Sequence, residues 1–241
     1  RVFDRVASPW LKGDQEMIIG DVGELGAVLA AAEGADVVYN FAALADLNDA
    51  LDQPLQSVLV NVLGNTHVLE ACRKHGVRRF VYASTVYVNS REGGFYRCSK
   101  QASEQLVEEY QRAFGLDFTI LRYGSIYGPR AGDSNGLFRI VRDALRLGVI
   151  RYEGHPESMR EYVHVEDAAL ASVAALAPEF CNQSVVLTGQ EAMRVYDMLH
   201  MLAEIMGMPN DVQFVEAQYQ GHYVRTPYSY QPKLSRKYTP P

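Results

Sequence analysis

Arg79-Phe80-Val81-Tyr82-Ala83-Ser84-Thr85 is a short apolar run, rich in β-branched and aromatic residues, that ends on two hydroxyls. It predicts a buried strand. Farther along, Tyr96-Arg97-Cys98-Ser99-Lys100 leads into a helix predicted over 99–114. Outward from this pair the same alternation repeats. Towards the N-terminus come a strand at 17–19, a helix at 25–33, a strand at 37–41 and a helix up to Cys72 on the spacing of Val58, Val62, Thr66 and Leu69. The 37–41 run, Val37-Val38-Tyr39-Asn40-Phe41, is read as a strand covered on both faces. Towards the C-terminus comes a strand at 118–121. Strand and helix in strict turn give an α/β fold, a doubly wound parallel sheet with helices on both faces.

After Tyr127-Gly128-Pro129 the rhythm loosens into helices at 137–147, 167–176 and 195–206 and strands at 150–152, 161–165 and 185–187. Residues 1–123 are therefore expected to form the main sheet, and 124–241 a smaller region with a different role. The 241 residues are 48% hydrophobic, 22% charged and carry a net charge of −6. Such a chain buries a real core, and no apolar run reaches the ~18 residues of a membrane span. The acidic balance speaks against a nucleic-acid partner. Three cysteines without paired metal spacing suggest a reduced, cytoplasmic protein and no metal site.

Tyr96 and Lys100 stand four apart, on one helix face. Chance supplies about 0.3 such pairs in a chain of this composition, so the pair alone says little. Thr85 at the end of its strand adds weight, because ligands in doubly wound sheets sit at strand C-termini. A phenol titrates near ~10, too high for a base at neutral pH, and a neighbouring ammonium lowers it. Thr85 would then hold a substrate alcohol while Tyr96 takes its proton.

Four ordered stretches resemble one family: Asn61-Val62-Leu63-Gly64-Asn65-Thr66 with Gly76 to Thr85; Tyr96 to Lys100; Leu121-Arg122-Tyr123-Gly124-Ser125-Ile126-Tyr127-Gly128-Pro129-Arg130; and Arg160-Glu161-Tyr162-Val163-His164-Val165-Glu166-Asp167. The chain resembles the extended short-chain dehydrogenase/reductases, in particular the NAD-dependent nucleotide-sugar epimerase/dehydratase group. The resemblance implies a Rossmann-like sheet, NAD as cofactor and a nucleotide sugar as substrate. Thr85, Tyr96 and Lys100 would be catalytic and also touch the cofactor. Asp4 would accept from the adenosine ribose, Asp21 and Val22 would meet the adenine, and Phe41, Ala42, Ala43, Leu44 and Ala45 would line the cofactor. Asn61 would lie near it or join strand to helix, and Gly124 falls where relatives often carry an aromatic beside the nicotinamide.

On the substrate side the resemblance implies Thr85, Ser125, Arg160 and Arg225. Arg160 would either grip a diphosphate or pair with Glu161 or Glu166. His164 reads as a packed strand residue and Asp167 as a helix cap. Relatives that eliminate water carry Asp-Glu directly after the threonine; here Val86-Tyr87 follow. The expectation is a 4-epimerase-like enzyme acting through a transient keto sugar. The alternatives are a reductase or dehydrogenase of a sugar nucleotide or small carbonyl, and a non-catalytic NAD-sensing or scaffold protein. A homodimer through the apolar face around Leu106 is expected. Because Arg1-Val2-Phe3-Asp4 reads as the end of a strand, a first strand, its glycine-rich turn and a helix, about 30 residues, are expected upstream.

Overall fold

The computed structural model describes residues 1–209, 211–216 and 221–229. The chain runs β1 (Val2–Asp4), β2 (Met17–Ile19), α1 (Leu25–Ala32), β3 (Val37–Asn40), α2 (Leu47–Asp52), α3 (Pro54–Val58), a π-helical stretch (Leu59–Gly64), α4 (Asn65–His75) and β4 (Arg79–Thr85). A 3-10 turn (Val86–Asn89) then leads to α5 (Gly94–Phe114) and β5 (Phe118–Tyr123). The remainder is β6 (Ser125–Tyr127), α6 (Gly136–Leu147), β7 (Ile150–Glu153), β8 (Met159–His164), α7 (Val165–Ala174), β9 (Gln183–Leu187), β10 (Ala192–Arg194), α8 (Val195–Ile205) and β11 (Val212–Val215).

The central sheet is parallel with strand order β3-β4-β5-β9. Side-chain alternation along β4 shows how it is covered. Phe80 and Tyr82 face one core with Val28 of α1, Leu69 and Cys72 of α4 and Val107 of α5. Val81 faces the other core, with Leu121, Val163 of β8 and Ala168 of α7. Both faces are thus buried, as a doubly wound sheet requires. β1 and β2 form a separate parallel pair whose Phe3 packs on the first core, so two sheets share one interior. A third core joins α6, α8 and β7. The division at residue 124 is crossed by β9, which returns to pair with β5, and by α7, which covers the sheet.

Two expectations need correction. The 37–41 run is only half-buried: β3 is the edge of its sheet, the strand stops at Asn40, and Phe41 is 57% exposed. Leu106, on the face expected for a homodimer, is partly buried against the first core. Exposed apolar residues include Leu51, Leu55, Val58, Leu59 and Leu63, along α2, α3 and the π-helical stretch. Asp167 does not cap α7; His164 does, accepting from Glu166 N, and Asp167 lies in the first turn, where a carboxylate suits the helix dipole. No described helix is long and apolar enough to cross a membrane.

Candidate active site

The C-terminal ends of β3, β4 and β5 lie side by side, because these strands are parallel and in register. Thr85 ends β4 and is buried. Its Oγ1 accepts from Tyr87 N at 3.3 Å, which leaves the hydroxyl proton to be donated elsewhere. The Thr85 hydroxyl lies beside the Tyr96 phenol, whose ionised form it favours. α5 begins at Gly94 rather than at the expected 99, so Tyr96 and Lys100 are both helical and one turn apart. Lys100 is buried, donates to Ala83 O at 2.7 Å, and stands over the rings of Tyr82 and Tyr96 at 4.7 and 5.9 Å. The three residues named from sequence therefore come together.

Their electrostatics differ from expectation. Burial pushes the Tyr96 phenol up to about 12, with the Thr85 hydrogen bond pulling the other way. Burial also brings the Lys100 ammonium down to about 7, opposed by the field of Glu104. Desolvation outweighs the Thr85 contribution at Tyr96.

Asn61 lies in the π-helical stretch and is 1% exposed. It joins three segments: it accepts from Leu44 N and donates to Leu44 O and to Ser99 Oγ. Between its two expected roles, the observed one is a tie between the loop after β3 and the start of α5. In that loop Phe41, Ala42 and Ala45 are exposed, Ala43 and Leu44 half-buried, and Ala42 N donates to Asn40 Oδ1. Asp4 ends β1 and accepts from Val6 N at 3.1 Å; Asp21, just past β2, accepts from Gly23 N at 2.8 Å. Val22 packs on the first core, and its carbonyl accepts from His67.

Gly124 is required by close packing. A Cβ there would lie 2.9 Å from both Glu161 O and Thr188 Cγ2, so no aromatic side chain fits at this position. Ser125 opens β6 opposite Tyr162. Arg160 is buried and donates to Met159 O and Tyr223 O, with its guanidinium over the Tyr223 ring. It pairs with neither Glu161 nor Glu166, which removes the ion-pair alternative. Arg225 is exposed, next to Val224, whose carbonyl accepts from Met159 N.

One wall of the site comes from the segment that contains Arg225. Residues 221–229 form a strap: Gly221 O accepts from Gly93 N, and Ser229 N donates to Asn89 O. Under it the Tyr87 hydroxyl hydrogen-bonds His222 Nδ1 at 2.5 Å, and the Tyr87 ring packs on Tyr223 at 5.2 Å. Burial and the Arg160 charge pull His222 down to about 4, so it is neutral at ordinary pH. Gly93 makes room for this packing. It sits at φ 93°, and a Cβ would meet the Tyr87 ring at 2.8 Å. Tyr87 and His222 lie 135 residues apart, so no local pattern could have joined them.

With this geometry in view, residues 4–186 match the NAD dependent epimerase/dehydratase family. The chain belongs to that family. An uncharacterized UDP-glucose epimerase of Bacillus subtilis, YtcB, is 25% identical over 196 residues, covering 76% of this family member and 62% of the relative. A dTDP-glucose 4,6-dehydratase of Streptomyces antibioticus is 27% identical, with 84% and 64% covered. The chain thus spans somewhat less than two thirds of these relatives. Among solved structures, the Thermus thermophilus UDP-glucose 4-epimerase in complex with NAD superimposes with a TM-score of 0.81 at 25% identity, covering 93% of this chain and 80% of that one. Epimerases and dehydratases both stand among the relatives of this family member.

Proposed function

We propose that the protein is an NAD-dependent nucleotide-sugar epimerase, acting through a transient keto sugar with Tyr96 as the base. The observation that carries the reading is the Thr85–Tyr96–Lys100 arrangement, followed by Val86 and Tyr87 where elimination would need a carboxylate pair. The donor set suits NAD. Lys100 has one acceptor in Ala83 O and further N–H donors suited to ribose hydroxyls, and Asp4 and Asp21 offer carboxylates at two strand ends. When bound, NAD would supply hydride acceptance and return. Thr85 orients the sugar hydroxyl, and Tyr96 removes and returns its proton. The Lys100 ammonium, together with the positive charge that bound NAD would supply, would oppose the burial that raises Tyr96. The strap and Tyr87 close the sugar side against water.

The test is incubation of the full-length protein with NAD and a panel of nucleotide sugars, followed by chromatography and mass spectrometry. The expected product has the substrate's mass and a new retention time. Loss of water overturns the epimerase reading in favour of elimination, and a two-hydrogen change overturns it in favour of net oxidation or reduction.

A further inference from the structure

Glu104 is a buried carboxylate that the proton-transfer scheme above does not use. It lies one helical turn beyond Lys100 on α5 and is 6% exposed. A carboxylate so placed is costly unless it is paired and hydrogen-bonded. Two strands supply its partners. Ser84 Oγ donates at 2.5 Å, and Arg122 donates through Nε at 3.0 Å and Nη2 at 2.6 Å. Ser84 and Arg122 are register partners on β4 and β5, and Ser84 immediately precedes Thr85. The carboxylate therefore fastens α5 to both strands at the end that carries the site.

Lys100 faces Ala83 O and the rings of Tyr82 and Tyr96, and none of these carries a formal negative charge at neutral pH. The charge acting in favour of its ammonium is Glu104. The other charged or titratable groups around the carboxylate are Tyr82, which feels its field, and Arg122, on which Glu108 and Tyr228 also act. Lys100 stands near 7, where a small change of field decides how much of it is charged. A neutral Lys100 would leave a Tyr96 phenolate without a counter-charge.

We propose that Glu104 is the positioning residue of this site: clamped by Ser84 and Arg122, its carboxylate sets α5 against β4 and favours the charged form of Lys100, one helical turn away, against burial. This rests on the reading of Tyr96 and Lys100 as the proton-handling pair. The spacing of Lys100 and Glu104 puts them on one helix face, and the clamp explains why a carboxylate is kept in the interior there.

The test follows the side-chain carbon next to the Lys100 ammonium by NMR, in full-length protein labelled at lysine, with Lys100→Arg identifying the signal. In Glu104→Gln the titration midpoint of Lys100 should fall by about one pH unit or more. Glu104→Asp, which keeps the charge, should stay within about half a unit of the parent. An unmoved midpoint in folded Glu104→Gln overturns the proposal, as does an equal fall in Glu104→Asp. Should Glu104→Gln fail to fold because Arg122 is left unpaired, Glu104→Gln/Arg122→Met is compared with Arg122→Met alone: a lower midpoint in the double variant is expected, and equal midpoints overturn the proposal. A purely structural tie would alter melting without moving this midpoint. The readout needs neither substrate nor cofactor, so an absence of epimerase activity and a failure of this proposal are separate results.

Discussion

The side-chain amide of Asn61 brackets the backbone of Leu44, accepting from its N–H at 2.7 Å and donating to its carbonyl at 3.1 Å. One buried residue thereby holds the loop after β3, while its bond to Ser99 holds the start of α5. Asn61→Leu keeps the volume but strands these partners. It should destabilise the protein by about 2–4 kcal/mol and weaken NAD binding. Denaturant melts and NAD titration check this, and a loss below ~1 kcal/mol would mean the loop is fixed by other contacts.

Tyr96→Phe removes one oxygen from a half-buried ring and leaves Thr85 and Lys100 in place. Turnover should drop about 10²–10⁴-fold, with NAD affinity and melting temperature close to the parent's. Steady-state kinetics on the substrate found by the panel assay is the measurement. A variant that works at the parental rate cannot have lost its base.

Lys100 gives a pH signature in stability. Its folded pKa is brought down to about 7 from an ordinary 10.5. Between those values the unfolded chain binds the extra proton, so stability rises with pH, by up to ~1.4 kcal/mol per unit. This contribution is complete above pH 10.5 and lost as pH falls towards 7. Tyr96, raised to about 12 from 10, acts with the opposite sign only above pH 10, so the useful range lies below that. Unfolding free energies of the parent minus Lys100→Met should climb from pH 7 to 9.5. A flat difference would show that the ammonium is charged as readily inside as outside.

Gly124→Ala places its Cβ against the Glu161 carbonyl, a backbone atom that moves only if β8 does. A cost of about 1–3 kcal/mol is expected. Gly132→Ala, with nothing within 4 Å of the new carbon, serves as the control and should stay within ~0.5 kcal/mol. Equal melting of the two variants would show that β8 yields freely.

The strand and helix periods around Thr85 and Tyr96 were readable because each is local: alternation in β4, four-residue spacing in α5. The edge position of β3 was not, since an apolar run says nothing about how many neighbours a strand has. Nor was the return of β9 to the main sheet, for order along the chain does not fix order across a sheet. The burial that raises Tyr96 was not readable from sequence, because desolvation depends on packing, which only the folded structure supplies. Glu104 could have been found. It follows Lys100 at the spacing that Lys100 keeps from Tyr96, and an acidic residue on a face otherwise turned inward was a visible sign.

The strap over Tyr87 also bears on the order in which the molecule assembles. Its partners on Asn89, Gly93 and Met159 are synthesised well before it, and Ser229 reaches back 138 residues to Arg91. Contacts of such sequence separation form late, because the chain entropy of closing so long a loop is paid before they give anything back. During synthesis the sheet, α5 and the tyrosine–lysine pair can therefore be complete while Tyr87 still stands open to water. A chain halted before residue 221 would carry every residue of the proton-transfer pair and yet lack the wall that shelters it.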